Sequence, residues 1–317
     1  MTVVATAESK RSSTDVAALL AALVTVVVWA SAFVGIRSAG RSFSPGALSL
    51  GRLAVAVVAL AALAAVQGER LPSRAQLRIA GLPLLFCGLL WFGAYNVALN
   101  AGERRVDAGT AAMLVNVGPV LIAILAGVLL DEGFPRTLFI GCAVAFAGVC
   151  VIAVASSNHA TTTTGVLLCL AAAVAYAGGV VAQKVVLRTL TGTQTIFLCC
   201  VIGAVACLPF AGSLVHELGS APGGAIGWLA YLGVAPTALG FSTWAFALRR
   251  TDAGKLAATT YLVPPLSILL GWLWLGESPA RLAYLGGAMC LAGVAVSRRT
   301  SAAGRRVPAV ARSGSRP

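Results

Sequence analysis

Ten apolar runs occupy almost the whole of this chain, at about 16–36, 45–66, 79–101, 108–130, 137–155, 165–183, 193–211, 225–248, 254–275 and 282–297. About 20 consecutive apolar residues cross the hydrocarbon core of a bilayer as a helix. In lipid a helix also satisfies its own backbone hydrogen bonds, which irregular chain cannot do. The runs are separated by short charged or Gly/Pro-rich breaks, and the last run is short. Only 10% of the 317 residues are charged, against about 25% in soluble domains. The expectation is an all-α membrane protein of ten transmembrane helices, with almost no residues left for an extramembrane domain.

Lys10 and Arg11 precede the first run, and Ala30-Ser31-Ala32 has the outline of a signal-peptidase site. The repeat described below needs that helix, which argues that it is retained. All eight cysteines fall inside apolar runs with no Cys-x-x-Cys or Cys/His spacing. Cysteine behaves as a small apolar residue in such places, so neither a disulfide nor a metal site is expected, and no cofactor motif is visible.

The formal net charge of +13 suggests nucleic acid until the basic residues are placed. With a cytoplasmic N-terminus, seventeen Lys and Arg fall in inner segments: Lys10, Arg11, Arg70, Arg74, Arg78, Arg136, Lys184, Arg188, Arg249, Arg250, Lys255 and six in the tail. Only five, Arg37, Arg41, Arg104, Arg105 and Arg281, fall in outer loops. This bias sets orientation. The expectation is a multi-pass protein of the cell (inner) membrane with both termini cytoplasmic. The basic tail is expected to be disordered and to touch anionic lipid headgroups, with no nucleic-acid partner.

Two stretches read almost alike. "RRVDAGTAAMLVNVGPVLIAILAGVLLDE" runs from Arg104 to Glu132, and "RRTDAGKLAATTYLVPPLSILLGWLWLGE" from Arg249 to Glu277, an offset of 145 residues. The match continues without a gap from Arg104–Val149 to Arg249–Val294, with identities at Asp107/Asp252, Gly109/Gly254, Pro119/Pro264, Gly141/Gly286 and Gly148/Gly293. A fainter echo sets Trp29, Phe33 and Arg37 against Tyr176, Val180 and Lys184. Five helices per half is an odd number, so the second half enters the membrane from the opposite side. Such inverted repeats are the signature of alternating-access transporters. The expected organisation is a cytoplasmic segment 1–14, a first five-helix repeat 15–156, a second 164–297 and a tail 298–317.

With these features the chain resembles the EamA-type family of the drug/metabolite transporter superfamily. Trp-Ala-Ser-Ala-Phe-Val at 29–34 resembles the family's Trp-Gly motif, with Ala30 in place of Gly. Arg52 resembles the family's arginine in the second helix, and Pro264…Gly276-Glu277 its pattern in the ninth. In the first copy Asp131 replaces that glycine. The resemblance covers about residues 15–297 and implies export of amino acids or related small metabolites.

Pro119, Pro264 and Pro265 lie inside apolar runs, where a missing N–H frees the carbonyls of Val115, Thr260 and Tyr261. They are read as helix kinks beside a substrate site, with Thr260 and Tyr261 next to them, or as packing kinks. Asn96, Asn100 and Asn116 offer amides that either clamp a ligand or glue helices. Trp29, Trp91, Tyr95, Tyr176 and Trp244 offer aromatic walls, whereas Trp272 and Trp274 read as an interfacial belt. Arg52 is the cation placed furthest into a run, and it binds an anionic group, pairs with a backbone carbonyl or snorkels outward. Lys184 and Arg37 are expected to snorkel. Asp107 and Asp252 read as helix N-caps. Glu132 with Arg136, and Glu277 with Arg281, read as i, i+4 ion pairs.

No Asp or Glu falls mid-span, so no buried proton carrier is visible, and His159 and His216 lie in outer loops. The motifs of an intramembrane hydrolase or metalloenzyme are missing, which points away from an enzyme. The readings kept open are an importer or exchanger of another class, such as phosphorylated or nucleotide-like metabolites, and a non-transporting membrane scaffold. A homodimer is compatible with such a chain.

Overall fold

The computed structural model describes residues 2–106, 114–156, 162–275 and 281–299. The ten runs appear in order as α1 (Thr2–Ala39), α2 (Pro45–Val66), α3 (Arg74–Gly102), α4 (Gly118–Leu129) and α5 (Arg136–Ser156). The second half follows as α6 (Thr163–Val186), α7 (Gly192–Ala206 and Leu208–Ser220, bent by 56°), α8 (Gly223–Leu248), α9 (Ala253–Trp274) and α10 (Arg281–Ser297). Seven of these are long and apolar enough to cross a membrane singly, α7 qualifies as a bent pair, and α4 and α10 are shorter apolar helices. Large apolar side chains such as Val58, Ile79, Leu82, Val154, Val174 and Leu291 are exposed around the outside. That surface suits lipid, and in water it would be an aggregation face.

The inversion is visible in the contact between α5 and α10. A Cβ added at Gly148 would sit 2.6 Å from the Gly286 carbonyl oxygen, and one added at Gly286 would sit 2.6 Å from the Gly148 oxygen. Gly141 packs in the same way on Gly293, and Cys290 Sγ points at the carbonyl of Ala145, its own mate at the 145-residue offset, 3.5 Å away. Residue numbers rise along one helix as they fall along the other, so equivalent helices of the two repeats run antiparallel. Each residue touches the mate of its partner, as in a self-complementary two-fold interface. The pseudo-two-fold axis therefore passes through this crossing, and glycine is required there because the backbones nearly touch.

The irregularities also repeat. The third helix of each half carries a π-helical segment, Gly88–Ala94 in α3 and Gly233–Leu239 in α8, 145 residues apart. Such segments leave main-chain carbonyls unpaired, and side chains take them up. Asn96 Nδ2 donates to the Trp91 and Phe92 carbonyls at 3.2 and 2.9 Å, and Thr237 Oγ1 donates to Leu232 at 2.7 Å. The fourth helices are broken at matching places: a turn at Asn116–Val117 precedes α4, and a 3-10 segment at Thr259–Leu262 interrupts α9.

The breaks correct the expectation that the prolines kink continuous helices. Pro119 stands at the second position of α4, and Pro264 and Pro265 stand in the first turn after the 3-10 segment. A first-turn residue has no intrahelical acceptor for its N–H, so proline is tolerated there, and the freed carbonyls belong to the break itself.

Other end-of-helix readings also change. Lys184 does not snorkel: its Nζ donates to the Leu248 and Thr251 carbonyls at the end of α8. Glu132 does not pair with Arg136: its two oxygens accept from the Ala253 and Gly254 N–H groups at 2.7 and 3.2 Å. Those donors are orphans at the start of α9, so a carboxylate of the first repeat caps a helix of the second. Asp252 holds the N-cap position without a side-chain cap bond and instead pairs with Lys255 at 2.6 Å. Trp272 and Trp274 are exposed near the end of α9, as a belt residue would be. The Asp107 cap, the Glu277–Arg281 pair, His159 and the tail beyond Arg299 lie outside the described residues.

Candidate functional site

The bundle encloses a cavity of about 110 Å³ lined by α1, α2, α3, α4, α6, α8 and α9. Its lining from α1 runs from Trp29 to Ile36, and from α3 it runs from Trp91 to Asn100, toward the ends of those helices at Ala39 and Gly102. Phe241, Tyr176, Thr260 and Val263 stand at its deep end. The cavity therefore starts near mid-depth and leads to the face that carries the α1–α2 and α3–α4 connections.

Its deep end is an aromatic floor. Trp29 stacks on Trp244 with centroids 5.1 Å apart, and Phe241 lies 5.2 Å from Trp29 and 4.9 Å from Trp91. Tyr176 follows at 5.3 Å from Trp91 and 5.8 Å from Tyr95. The Trp29 indole is oriented by its Nε1–H bond to the Pro236 carbonyl at 3.1 Å, which is part of the α8 π-helical segment. A Cβ at Gly240 would come within 2.8 Å of that indole nitrogen, so Gly240 makes its seat. Toward the opposite face from the mouth, the Glu132 clasp on α9 and the Lys184 clasp on α8 tie the helices together.

Arg52 is the cation of this site. It is 6% exposed, seven residues into α2, and its Nε donates to Thr237 Oγ1 at 3.1 Å. Among the described residues its two Nη groups have no acceptor and no carboxylate lines the cavity. A guanidinium at that depth without a counter-ion is costly, and its free fork matches the geometry of a carboxylate. It does not snorkel.

Nine of the eleven residues read as substrate-binding line the cavity: Trp29, Arg52, Trp91, Tyr95, Asn96, Asn100, Asn116, Tyr176 and Thr260, with Pro119 beside them. Trp244 and Tyr261 do not. Each is 0% exposed, Trp244 under the floor and Tyr261 in the cluster between α5 and α10. Pro264 and Pro265 also lie off the lining. The amide groups of Asn96 and Asn100 are partly committed: Asn96 to its own helix, Asn100 to Ser49 Oγ at 3.1 Å and the Pro45 carbonyl at 3.3 Å. Sequence reading missed Thr237, the acceptor that orients Arg52, and apolar walls such as Ile36 and Leu99. A threonine one residue after Pro236 in an interior run was the available signal for the first. Nothing distinguishes an apolar wall from core in a single sequence.

Two inverted halves around a cavity near mid-membrane define the class of a multi-pass membrane transporter. The sequence profile of the EamA-like transporter family matches twice, over residues 16–154 and 163–299, and the chain belongs to that family. A probable terminal-alkyne amino-acid exporter of Streptantibioticus cattleyicolor is 40% identical over 91% of this chain and 96% of its own length. The uncharacterized transporter YdfC of Bacillus subtilis is 31% identical over 84% of this chain and 86% of its own. A probable amino-acid metabolite efflux pump of Salmonella typhimurium is 26% identical over 87% and 93%. One crystal structure, of a chain 19% identical to this one, shares the fold with a TM-score of 0.73 over 89% of this chain and 96% of that one.

Proposed function

We propose that this transporter exports an amino acid or a closely related small metabolite across the cell membrane by alternating access, with both termini cytoplasmic. The observation that carries the reading is Arg52, a buried guanidinium whose fork has no acceptor among the described residues and lines a cavity walled by tryptophan and tyrosine. A carboxylate would take the two free Nη groups, and the aromatic walls would hold an ammonium by cation–π contact or an apolar side chain by burial. A single cation disfavours multiply charged phosphorylated cargo. The relatives named as an amino-acid exporter and an amino-acid metabolite efflux pump support the same class, and the excess of basic residues on one face supports the orientation. On that orientation the cavity faces outward.

Counterflow in proteoliposomes tests the reading. Vesicles loaded with a panel of neutral amino acids should take up labelled substrate in a saturable way, and the matching amines without a carboxylate should not compete. Competition by the amine as strong as by the amino acid would refute the role given to Arg52.

A further inference from the structure

The repeat symmetry and the polar atoms left without partners point to the same residues. Among the described residues, five side chains hold buried polar atoms with no hydrogen-bond partner: Tyr176, Gln183, Ser242, Trp244 and Tyr261. The inverted repeat relates four of them to residues of the outward cavity. At the 145-residue offset Trp244 is the mate of Leu99 and Tyr261 is the mate of Asn116. For the first two helices of each half the offset is 147, as the starts of α2 at Pro45 and α7 at Gly192 show. On that offset Gln183 is the mate of Ile36, and Tyr176 is the mate of Trp29. Ser242 is the exception, since its mate Val97 does not line the cavity, and it is only half-buried.

We infer that Gln183, Trp244 and Tyr261 are the lining of a second, inward-facing cavity that is closed in this conformation, with Tyr176 shared by both. The reading rests on the proposed transport cycle. Ile36 lies three residues from the end of α1 at Ala39, and Gln183 lies three from the end of α6 at Val186, at the opposite face. Ile36, Leu99 and Asn116 line the open cavity here, while Gln183, Trp244 and Tyr261 are each 0% exposed and do not line it. A glutamine amide buried with neither its oxygen nor its nitrogen bonded is rare in a packed interior. It is explained if another state of the protein wets it. The indole N–H of Trp244 and the hydroxyl of Tyr261 follow the same logic. Sequence alone placed Trp244 and Tyr261 at a substrate site. The symmetry keeps them on the pathway at its other end, and it adds Gln183, which no motif had marked.

The experiment uses the full chain with its eight cysteines replaced, carrying Ile36→Cys or Gln183→Cys singly, in right-side-out and inside-out membrane vesicles. An impermeant maleimide should label Ile36→Cys from the outer face and Gln183→Cys from the inner face. Conditions that raise labelling at one should lower it at the other. Gln183→Cys that reacts from neither face, or from the same face as Ile36→Cys, overturns the inference. Should Gln183→Cys fail to fold, Tyr261→Cys is read by the same criteria. Reciprocal labelling without amino-acid exchange would sink the proposed cargo and leave this inference standing. Exchange without inner labelling would do the reverse.

Discussion

Replacing Arg52 by methionine separates what this residue does for folding from what it does for transport. Among the described residues its guanidinium has one hydrogen-bond partner, Thr237 Oγ1 at 3.1 Å, and is otherwise walled by cavity residues. An arginine near the middle of a membrane helix costs about 2.5–3.5 kcal/mol on insertion scales, and one neutral partner offsets about 1 kcal/mol of that. Arg52→Met keeps an unbranched apolar stem and removes the buried charge, so stability in detergent should hold or rise, by up to about 2.5 kcal/mol. Substrate binding should weaken. A charge-assisted bond contributes about 1.5–3 kcal/mol, which at 1.4 kcal/mol per factor of ten raises the half-saturation concentration about ten- to a hundred-fold. Arg52→Lys keeps the charge without the fork and should fall between the two. The assay pairs thermal unfolding of the purified protein with counterflow of its best amino-acid substrate. If Arg52→Met exchanged substrate at the wild-type concentration dependence, the carboxylate would bind elsewhere. If it unfolded at much lower temperature, Arg52 would be a structural residue, and the argument from its unpaired fork would be wrong.

Gly148→Ala and Gly286→Ala each push a Cβ to 2.6 Å from a backbone oxygen, so each should destabilise the α5–α10 crossing by about 1–3 kcal/mol. Because they widen one symmetric contact, the double variant should lose less than the sum in an unfolding series; additive losses would count against the shared axis. Glu132→Gln leaves a neutral acceptor at the Ala253 and Gly254 N–H groups in place of a charged one. Weakening that clasp should shift the protein toward the inward-facing state, read as greater inner-face labelling of a cysteine at position 183, and unchanged labelling would show that the clasp does not gate. Asn100→Leu breaks the bonds to Ser49 and Pro45 and should lower thermal stability more than it changes the half-saturation concentration; the opposite split would return Asn100 to the ligand.

The membrane fold was legible because the bilayer imposes its rule along every run of sequence. Apolar length and one repeat were enough to find an all-helical membrane fold made of two related halves. Helix-end chemistry was less legible, and Glu132 shows why. Its i, i+4 partner Arg136 is visible in one dimension, while the orphan N–H groups of Ala253 and Gly254 come near only after the two halves pack. Lys184 misled for the same reason, since the carbonyls it meets belong to another helix of its own half. Residues of the cavity itself were read mostly from polarity in an apolar run, which finds Arg52 and Asn96 and is blind to Ile36 and Leu99.

The departures from symmetry are where one conformation and one cargo are chosen. The backbone keeps its two-fold rule through the π-helical segments, the broken fourth helices and the glycine crossing. The side chains do not: Asn96 faces the mate Phe241, Asn100 the mate Ala245 and Leu99 the mate Trp244. Asn96, Asn100 and Asn116 of the first half line the open cavity, whereas their mates Phe241, Ala245 and Tyr261 in the second half carry no amide. A strictly symmetric pair of halves would make the two facing states equal in energy. Here apolar bulk at the inner end stabilises closure, and the orphaned atoms of Gln183, Trp244 and Tyr261 oppose it. Each such atom costs about 1–3 kcal/mol when buried unpaired, comparable to the few kcal/mol that separate interconverting states. Gln183→Leu removes the two orphaned atoms of one side chain from the closed inner end. It should hold the protein outward-facing, so that substrate still binds from the outer face while counterflow slows. Counterflow at the wild-type rate would mean that these atoms do not set the balance between the two states.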